Sequence, residues 1–417
     1  MSKKLQPVRG THDILSPEAA KRRALVDAFA RIAAQYGFGE FEPPIFEFSE
    51  VFHRTLGDSS DIVTKETYSF EDRGGESITL RPEFTAAIAR AFISNGLQQA
   101  LPVKWWYQGP AFRYERPQKG RQRQFTQVGV ELIGPSEPQA DVEVIALAQQ
   151  FLSSIGLEQD VTLELNSLGD EQSRADYRDA LVTYYQAHRT ELSVQSLVRL
   201  EKNPLRILDS KDEGDRAINA NAPKLSEHFT DAAQNFFKKV TSGLTDIGIA
   251  YQLNDNLVRG LDYYNHTVFE FVTDKLGAQG TVLAGGRYDG LIEMMGGQPT
   301  PGIGFAAGIE RLLLLASDDI VPNPEPLICV VPIAEEQQAA AWKLAHELRS
   351  QGLTVDIAYK GNAGKRMKQA NKLGAAYAVV IGEDELASGN VTLKKLQDGS
   401  QQTIDQHALV VLLKEQQ

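Results

Sequence analysis

The run Phe112-Arg113-Tyr114-Glu115-Arg116, followed by Pro117 to Arg123 and then by Gln124-Phe125-Thr126-Gln127, reads as two strands around a polar loop that contains Gly120. That is the pattern of an antiparallel hairpin. Such a hairpin can display an arginine on one strand and an aromatic ring on the returning one. An arginine fork grips a phosphate in bidentate fashion, and Phe125 offers a flat apolar face to a purine ring. The arrangement suits a nucleotide clamp, and it is also compatible with a merely solvated turn.

Upstream, Ser16-Pro17-Glu18 supplies a helix start, and Ala24, Leu25, Ala28, Phe29, Ile32 and Ala33 recur at helical spacing as far as Tyr36. Residues 38–48 then predict a strand interrupted by Pro43-Pro44, which places it at an edge or an interface. Short strands are predicted at 77–81, 104–108, 111–116, 124–133 and 162–166, with helices at 82–94 and 139–155. From about 169 to 245 the chain turns charged and helical in pattern, broken at Asn203-Pro204 and Asn221-Ala222-Pro223, and predicts a helical insertion. Strand patterning resumes at 250–254, 267–272, 281–284 and 302–305, and a helix at 307–316 follows.

Asp318 to Pro326 holds three prolines within five residues and predicts a linker. Beyond it, apolar strands at 327–332, 354–358, 377–381 and 391–396 alternate with helices at 335–351 and 365–373. This alternation predicts a small α/β domain with a mostly parallel sheet. The expected organisation is a first domain over residues 1–322 and a second over 326–417.

A chain of 417 residues, 42% hydrophobic and 24% charged, can bury two or three ordinary cores. No stretch approaches the roughly 18 uncharged apolar residues of a membrane span, and the first residues lack the apolar core of a signal peptide. A cytoplasmic protein without a membrane partner is therefore expected. The single cysteine, Cys329, lies in an apolar run and reads as a buried strand residue with no disulfide partner. The net charge of −12 argues against coating nucleic acid by bulk attraction, so RNA contact would need local patches. One runs from Lys104 to Arg123, where six basic residues face only Glu115. A second holds Lys360, Lys365, Arg366, Lys368 and Lys372, and is as compatible with a solvated face as with RNA.

The seven histidines are scattered without metal-ligand spacing, so no protein-ligated metal is expected. No Walker-type phosphate loop exists, and Gly302-Ile303-Gly304-Phe305-Ala306-Ala307-Gly308 has the wrong spacing for a dinucleotide fingerprint. Its small residues instead permit close approach of a ligand, and the run ends in Glu310-Arg311. The hairpin and this run resemble motifs 2 and 3 of class II aminoacyl-tRNA synthetases, and the helix from Ser16 with the strand through Pro44 resembles motif 1. Within that class, Leu257 to Tyr264 (Leu-Val-Arg-Gly-Leu-Asp-Tyr-Tyr), Ala284 to Gly290 and Thr79 to Thr85 are similar to signatures of the histidyl-tRNA synthetase family. The resemblance runs from about Val8 into the C-terminal region.

This resemblance implies an α+β catalytic domain built on an antiparallel sheet, a helical insertion, and a C-terminal α/β anticodon-binding domain. It implies ATP-dependent ligation of L-histidine to tRNA(His) through a histidyl-adenylate, in a homodimer joined through the motif 1 elements. Histidine offers an ammonium, a carboxylate and two ring nitrogens, so its pocket needs acids, a cation and ring partners. Glu83, Phe84 and Thr85 would meet the α-amino end, Gln127 the backbone polar groups, and Glu131 with Tyr264 the imidazole, with Tyr263 alongside. Arg113 and Arg259 would counter charge at the α-phosphate and the substrate carboxylate. Arg311, and with it Arg121, would hold the outer phosphates, Glu115 would lie among the ATP-site residues, and Phe125 would carry adenine. Mg²⁺ would arrive with ATP through phosphate oxygens. Arg116, Gln118 and Lys119 of the hairpin loop, and Lys365, Arg366 and Lys368 of the C-terminal domain, would touch tRNA. Phe84 and Thr126 depart from the glycine and histidine that many family members carry, which puts pocket packing and acceptor-end contacts in question.

Two other readings predict different behaviour. A non-catalytic paralogue, the regulatory subunit of ATP phosphoribosyltransferase, would lack the nucleotide arginines and the C-terminal domain. A plain RNA-binding module would leave Glu83, Glu131 and Tyr264 without a purpose.

Overall fold

The computed structural model describes residues 4–56, 65–208, 210–257, 263–277, 280–323 and 325–415. The chain divides into two compact units, Met1–Val321 and Pro322–Gln417.

In the first unit α1 (Glu18–Gln35) leads into β1 (Gly39–Glu40), β2 (Phe46–Phe48) and α2 (Ser49–Leu56). The expected strand over 38–48 is thus two strands in two different sheets, because Pro43-Pro44 withdraws two N–H groups from any ladder. β3 (Tyr68–Glu71), β4 (Ser77–Leu80) and α3 (Thr85–Ser94) follow. The strands expected at 104–108 and 111–116 form one continuous β5 (Val103–Phe112), which turns back into β6 (Gln124–Ile133) in unbroken antiparallel register from Val103↔Ile133 to Phe112↔Gln124. Next come α4 (Pro138–Ser154), β7 (Thr162–Ser167), and the helices α5 (Glu171–Ala187), α6 (Val194–Lys202), α7 (Glu213–Asn219) and α8 (Asp231–Asp246). The unit closes with β8 (Gln252–Leu253), β9 (Asn265–Val272), β10 (Thr281–Arg287), α9 (Leu291–Met294), β11 (Gly302–Gly308) and α10 (Ile309–Leu313).

These strands make an eight-stranded sheet in the order β1-β5-β6-β11-β10-β9-β7-β8, antiparallel except where β1 meets β5 and β7 meets β8. A separate three-stranded sheet, β2-β4-β3, presents Phe46, Phe48 and Phe70 to solvent. Alternation along β6 sorts its residues: Val128, Val130 and Leu132 join the core under α1, α4 and α8, and Gln127, Gly129 and Glu131 face the other way. Helices α5 to α7 enclose a core of their own around Tyr177, Leu181, Tyr185 and Ile207, whereas Val240 and Leu244 of α8 belong to the main core. Asp215 secures this helical part by accepting hydrogen bonds from Ser193, Ser196 and Ser210.

The second unit holds β12 (Ile328–Pro332), α11 (Gln338–Ser350), β13 (Val355–Ile357), α12 (Ala363–Lys372), β14 (Tyr377–Ile381), α13 (Glu383–Ser388), β15 (Asn390–Lys395), β16 (Gln401–Asp405) and α14 (Gln406–Lys414). Its sheet order is β13-β12-β14-β15-β16. β13, β12 and β14 run parallel, but β15 and β16 are antiparallel additions, so the sheet is mixed rather than mostly parallel. The run 401–405 is polar except for Ile404, which packs against the core of this unit while the backbone pairs with β15. Cys329 is buried in β12 and free. Among the described residues no helix is long and apolar enough to cross a membrane.

Candidate active site

One face of the large sheet is floored with glycine, and each floor glycine makes room for a polar side chain from a neighbouring element. A Cβ on Gly304 would collide with the Glu131 carboxylate, one on Gly286 with the Tyr264 ring, and one on Gly302 with the Tyr288 ring. Period-two alternation along β10 and β11 puts these glycines on the same face as Gln127 and Glu131.

Glu131 lies buried at the centre of this floor. It accepts from the Thr85 hydroxyl at 2.7 Å and from the Tyr288 hydroxyl at 2.5 Å. Burial pushes its carboxyl up to about 8, against the pull of those two donors and helped by the charge of Glu83. Glu83 is buried as well, and its oxygens accept the backbone N–H groups of Thr85 (2.6 Å) and Ala86 (2.8 Å), capping the positive end of α3. Burial raises its pKa, with the two backbone donors and nearby Arg113 opposing. Tyr263 and Tyr264 close the far side, their ring centroids 4.7 Å apart, and Tyr263 packs edge-on to Tyr288. Gln127 holds its side-chain oxygen buried without a hydrogen-bond partner among the described residues, an acceptor available to a ligand. Phe84 stacks on Tyr107 with centroids 4.3 Å apart and supports the pocket from below.

Beside this polar cup, Arg113 donates through Nε to the Pro82 carbonyl at 2.9 Å and lies 5.4 Å from the Phe125 ring centroid. Glu115 binds Arg121 at 2.7 Å and stands 3.9 Å from Arg113. Arg311 at the start of α10 flanks Gly120, and burial followed by repulsion from Arg121 lowers its pKa. Arg113 and Arg121 therefore converge on Glu115, Arg311 lies close enough to Arg121 to be repelled by it, and Arg113 is the member beside Phe125. Arg259 lies outside the described residues. Thr126, one of the two departures from the family pattern, is fully engaged: its N–H donates to the Glu310 carboxylate at 3.0 Å and its hydroxyl accepts from Arg22, which pairs with Glu310 at 2.8 Å.

The sequence pattern of the histidyl-tRNA synthetase family matches residues 10–312, and that of an anticodon binding domain matches 327–416. The chain belongs to the histidyl-tRNA synthetase family. It is 58% identical over 400 residues to the histidine–tRNA ligase of Rhodospirillum rubrum and 54% identical over 398 residues to that of Gluconacetobacter diazotrophicus, covering 96% and 95% of each chain in the two pairs. The crystal structure of apo histidyl-tRNA synthetase from S. aureus superposes with a TM-score of 0.85 at 35% identity, over 99% of this chain and 100% of that one. The class II fold expected from the hairpin and the glycine run is the fold observed, an antiparallel catalytic sheet joined to an anticodon-binding domain.

Within this histidyl-tRNA synthetase family member the residues expected to touch tRNA fall into two groups. Arg116, Gln118 and Lys119 are exposed at the hairpin tip, where Gln118 and Arg121 close a small bridge. On α12, Lys365 and Lys368 are exposed, but Arg366 points inward. Its guanidinium donates to the Pro332 carbonyl at 2.6 Å and to Gln338 at 2.9 Å, so helical periodicity makes it a packing anchor and corrects the reading of the whole run as one RNA-facing surface. Tyr288, which donates to Glu131, belongs to the site without being among the residues expected there, and its place in the Ala284 to Gly290 signature is the signal in the sequence that points to it. Arg287 next to it is structural: it is buried, paired with Asp141 and with Asp289 at 3.0 Å.

Proposed function

We propose that this chain ligates L-histidine to tRNA(His) in two steps, through a histidyl-adenylate. The observation that supports it most is the presence of two unlike groups of side chains near one another: a buried cup of Glu83, Thr85, Glu131 and Tyr264, and an arginine cluster whose Arg113 lies over the Phe125 ring. Glu83 and Thr85 take the α-amino group, Gln127 bridges the amino acid's backbone atoms, and Glu131 with Tyr264 and Tyr263 holds the imidazole. A pocket with buried partners for both ring nitrogens penalises analogues that leave those partners unmatched, by a factor of about 10⁴.

In the first step a histidine carboxylate oxygen attacks the α-phosphorus of ATP and pyrophosphate leaves. The nucleophile is already ionised, so no general base is needed, and the difficulty is bringing two anions together. Arg113 and Arg259 neutralise the α-phosphate and carboxylate, Arg311 and Arg121 the leaving pyrophosphate, Glu115 orients the arginines, and Phe125 carries adenine. Mg²⁺ bound with ATP would add charge neutralisation through phosphate oxygens, and Glu270 and Glu115, whose charges already act on Arg311, are the carboxylates that would face it. In the second step a terminal ribose hydroxyl of the tRNA takes the acyl group and AMP leaves. Arg116, Gln118 and Lys119 meet the acceptor end, and Lys365 and Lys368 the anticodon arm. The exposed Phe46, Phe48 and Phe70 on β2-β4-β3 are the face through which a homodimer would close.

The test is histidine-dependent ATP–pyrophosphate exchange, followed by charging of tRNA(His) in the presence of other amino acids. Exchange stimulated by histidine alone is expected. A chain that binds histidine but shows no exchange would instead be a regulatory protein of the paralogous kind.

A further inference from the structure

Arg81 has no part in the binding roles above, yet it is one of the largest fully buried side chains among the described residues. It forms no ion pair with any described residue. Its Nη1 donates to the carbonyls of Pro43 (2.6 Å) and Pro44 (3.3 Å), and its Nε donates to the Pro110 carbonyl at 2.8 Å. The guanidinium carbon lies 3.9 Å over the Phe84 ring, whose other face stacks on Tyr107. Gly109 leaves room on the remaining side, since a Cβ there would meet Nη2. Burial lowers the pKa to about 10, so the group stays charged at neutral pH. Glu42 and Glu47 oppose that shift through their charge without pairing directly with Arg81. Burying a guanidinium with no directly paired carboxylate is costly, and a packed apolar residue would be the cheaper solution for stability alone.

What the charge secures is visible in the chain that follows. The Arg81 N–H donates to Ile45, and its carbonyl accepts from Phe112. One residue on, the Pro82 carbonyl holds Arg113, and the next residue is Glu83, capping α3. The carboxylate proposed for the amino acid's ammonium and the guanidinium proposed for the nucleotide's α-phosphate are thus both mounted on the three residues that begin at Arg81.

We infer that Arg81 is a positioning residue that fixes the spacing between Glu83 and Arg113, and through them the distance from the histidine carboxylate to the α-phosphorus, by tying the Pro43-Pro44 segment, the end of β5 and the Phe84 ring into one rigid unit. The inference rests on the function proposed above. Lysine keeps the charge but can neither span carbonyls from two segments nor stack flat on a ring. Phe84, the departure from the glycine common in the family, becomes the seat on which the guanidinium rests.

The experiment compares the parental chain with Arg81→Lys and Phe84→Leu, measuring the single-turnover rate of adenylate formation at saturating substrates, separate dissociation constants for histidine and ATP, and thermal melting. A change of spacing predicts a rate lowered about 30-fold or more in Arg81→Lys and about fivefold or more in Phe84→Leu, with both dissociation constants within about fivefold of parental. A purely structural role would lower the melting temperature and leave the rate of the folded enzyme within about threefold of parental, which overturns the inference. It is equally overturned if the loss lies in histidine affinity and the saturated rate is kept. Should Arg81→Lys fail to fold, the same criteria applied to Phe84→Leu decide. Absence of exchange in the parental chain would overturn the functional reading and this inference with it.

Discussion

Gly304 on β11 stands opposite Glu131 on β6, and any side chain at position 304 would occupy the space of the Glu131 carboxylate. The glycine is thus a requirement of its neighbour, and the buried acid can exist only because the adjacent strand gives up a side chain.

Gly304→Ala should therefore disturb the pocket and the fold together. Overpacking a rigid sheet costs about 1–3 kcal/mol, and histidine affinity should fall at least about tenfold as the carboxylate is pushed aside. Thermal melting and titration with histidine measure the two effects. An alanine variant that binds histidine normally would show that the floor relaxes more easily than its geometry implies.

Glu131 should give the fold a specific pH dependence. Its folded-state pKa of about 8 exceeds its ordinary value of 4.5, so folding favours the protonated form. The contribution is fully present below pH 4.5 and is lost as pH rises through 8. Glu131→Gln keeps the shape and cannot ionise, so it should flatten that part of the stability curve and exceed the parent near the alkaline end by up to about 5 kcal/mol. Denaturant unfolding across the range checks this, and parallel curves for the two chains would contradict it.

Arg287 and Asp141 form a fully buried ion pair, supplemented by Asp289 and the Pro135 carbonyl. Arg287→Met would strand the Asp141 carboxylate in the core and should cost about 3–5 kcal/mol. Because neither residue touches the cup, the histidine dissociation constant of the folded protein should stay within about threefold of parental. A large affinity loss without loss of stability would place Arg287 in the binding machinery instead.

Much of this was legible in the letters because local signals and tertiary demands agree. The strand pattern of 124–133 coincides with β6, and the helical pattern of 139–155 differs from α4 by one residue at each end. The errors occur where tertiary contacts override local patterns. Gly109-Pro110 looks like a break, but Pro110 lies in the middle of a hairpin whose partner strand supplies the pairing, and Arg81 takes its carbonyl. At the site, single motifs identify which residues matter but not what each one touches. Nothing in Thr79 to Thr85 distinguishes Glu83, which caps a helix, from Arg81, which locks the loop beneath it. Nor does a run of basic residues show which of them faces inward until the helix is packed.

That last ambiguity on α12 can be tested directly. Lys365 and Lys368 are exposed, whereas Arg366 spends its donors on Pro332 and Gln338. If the lysines meet RNA phosphates, Lys365→Gln with Lys368→Gln should weaken tRNA(His) binding and reduce the slope of log affinity against log salt by roughly 0.7–0.9 for each lost contact. Arg366→Met should leave that slope unchanged, because the guanidinium never reaches solvent, and should lower the stability of the second unit by about 1–3 kcal/mol through the buried carbonyl it abandons. Filter binding over a salt series, with melting of each variant, separates the two behaviours. A reduced salt slope in Arg366→Met would mean that the side chain leaves its buried seat to meet the RNA, and the division of α12 into an outward and an inward face would then be wrong.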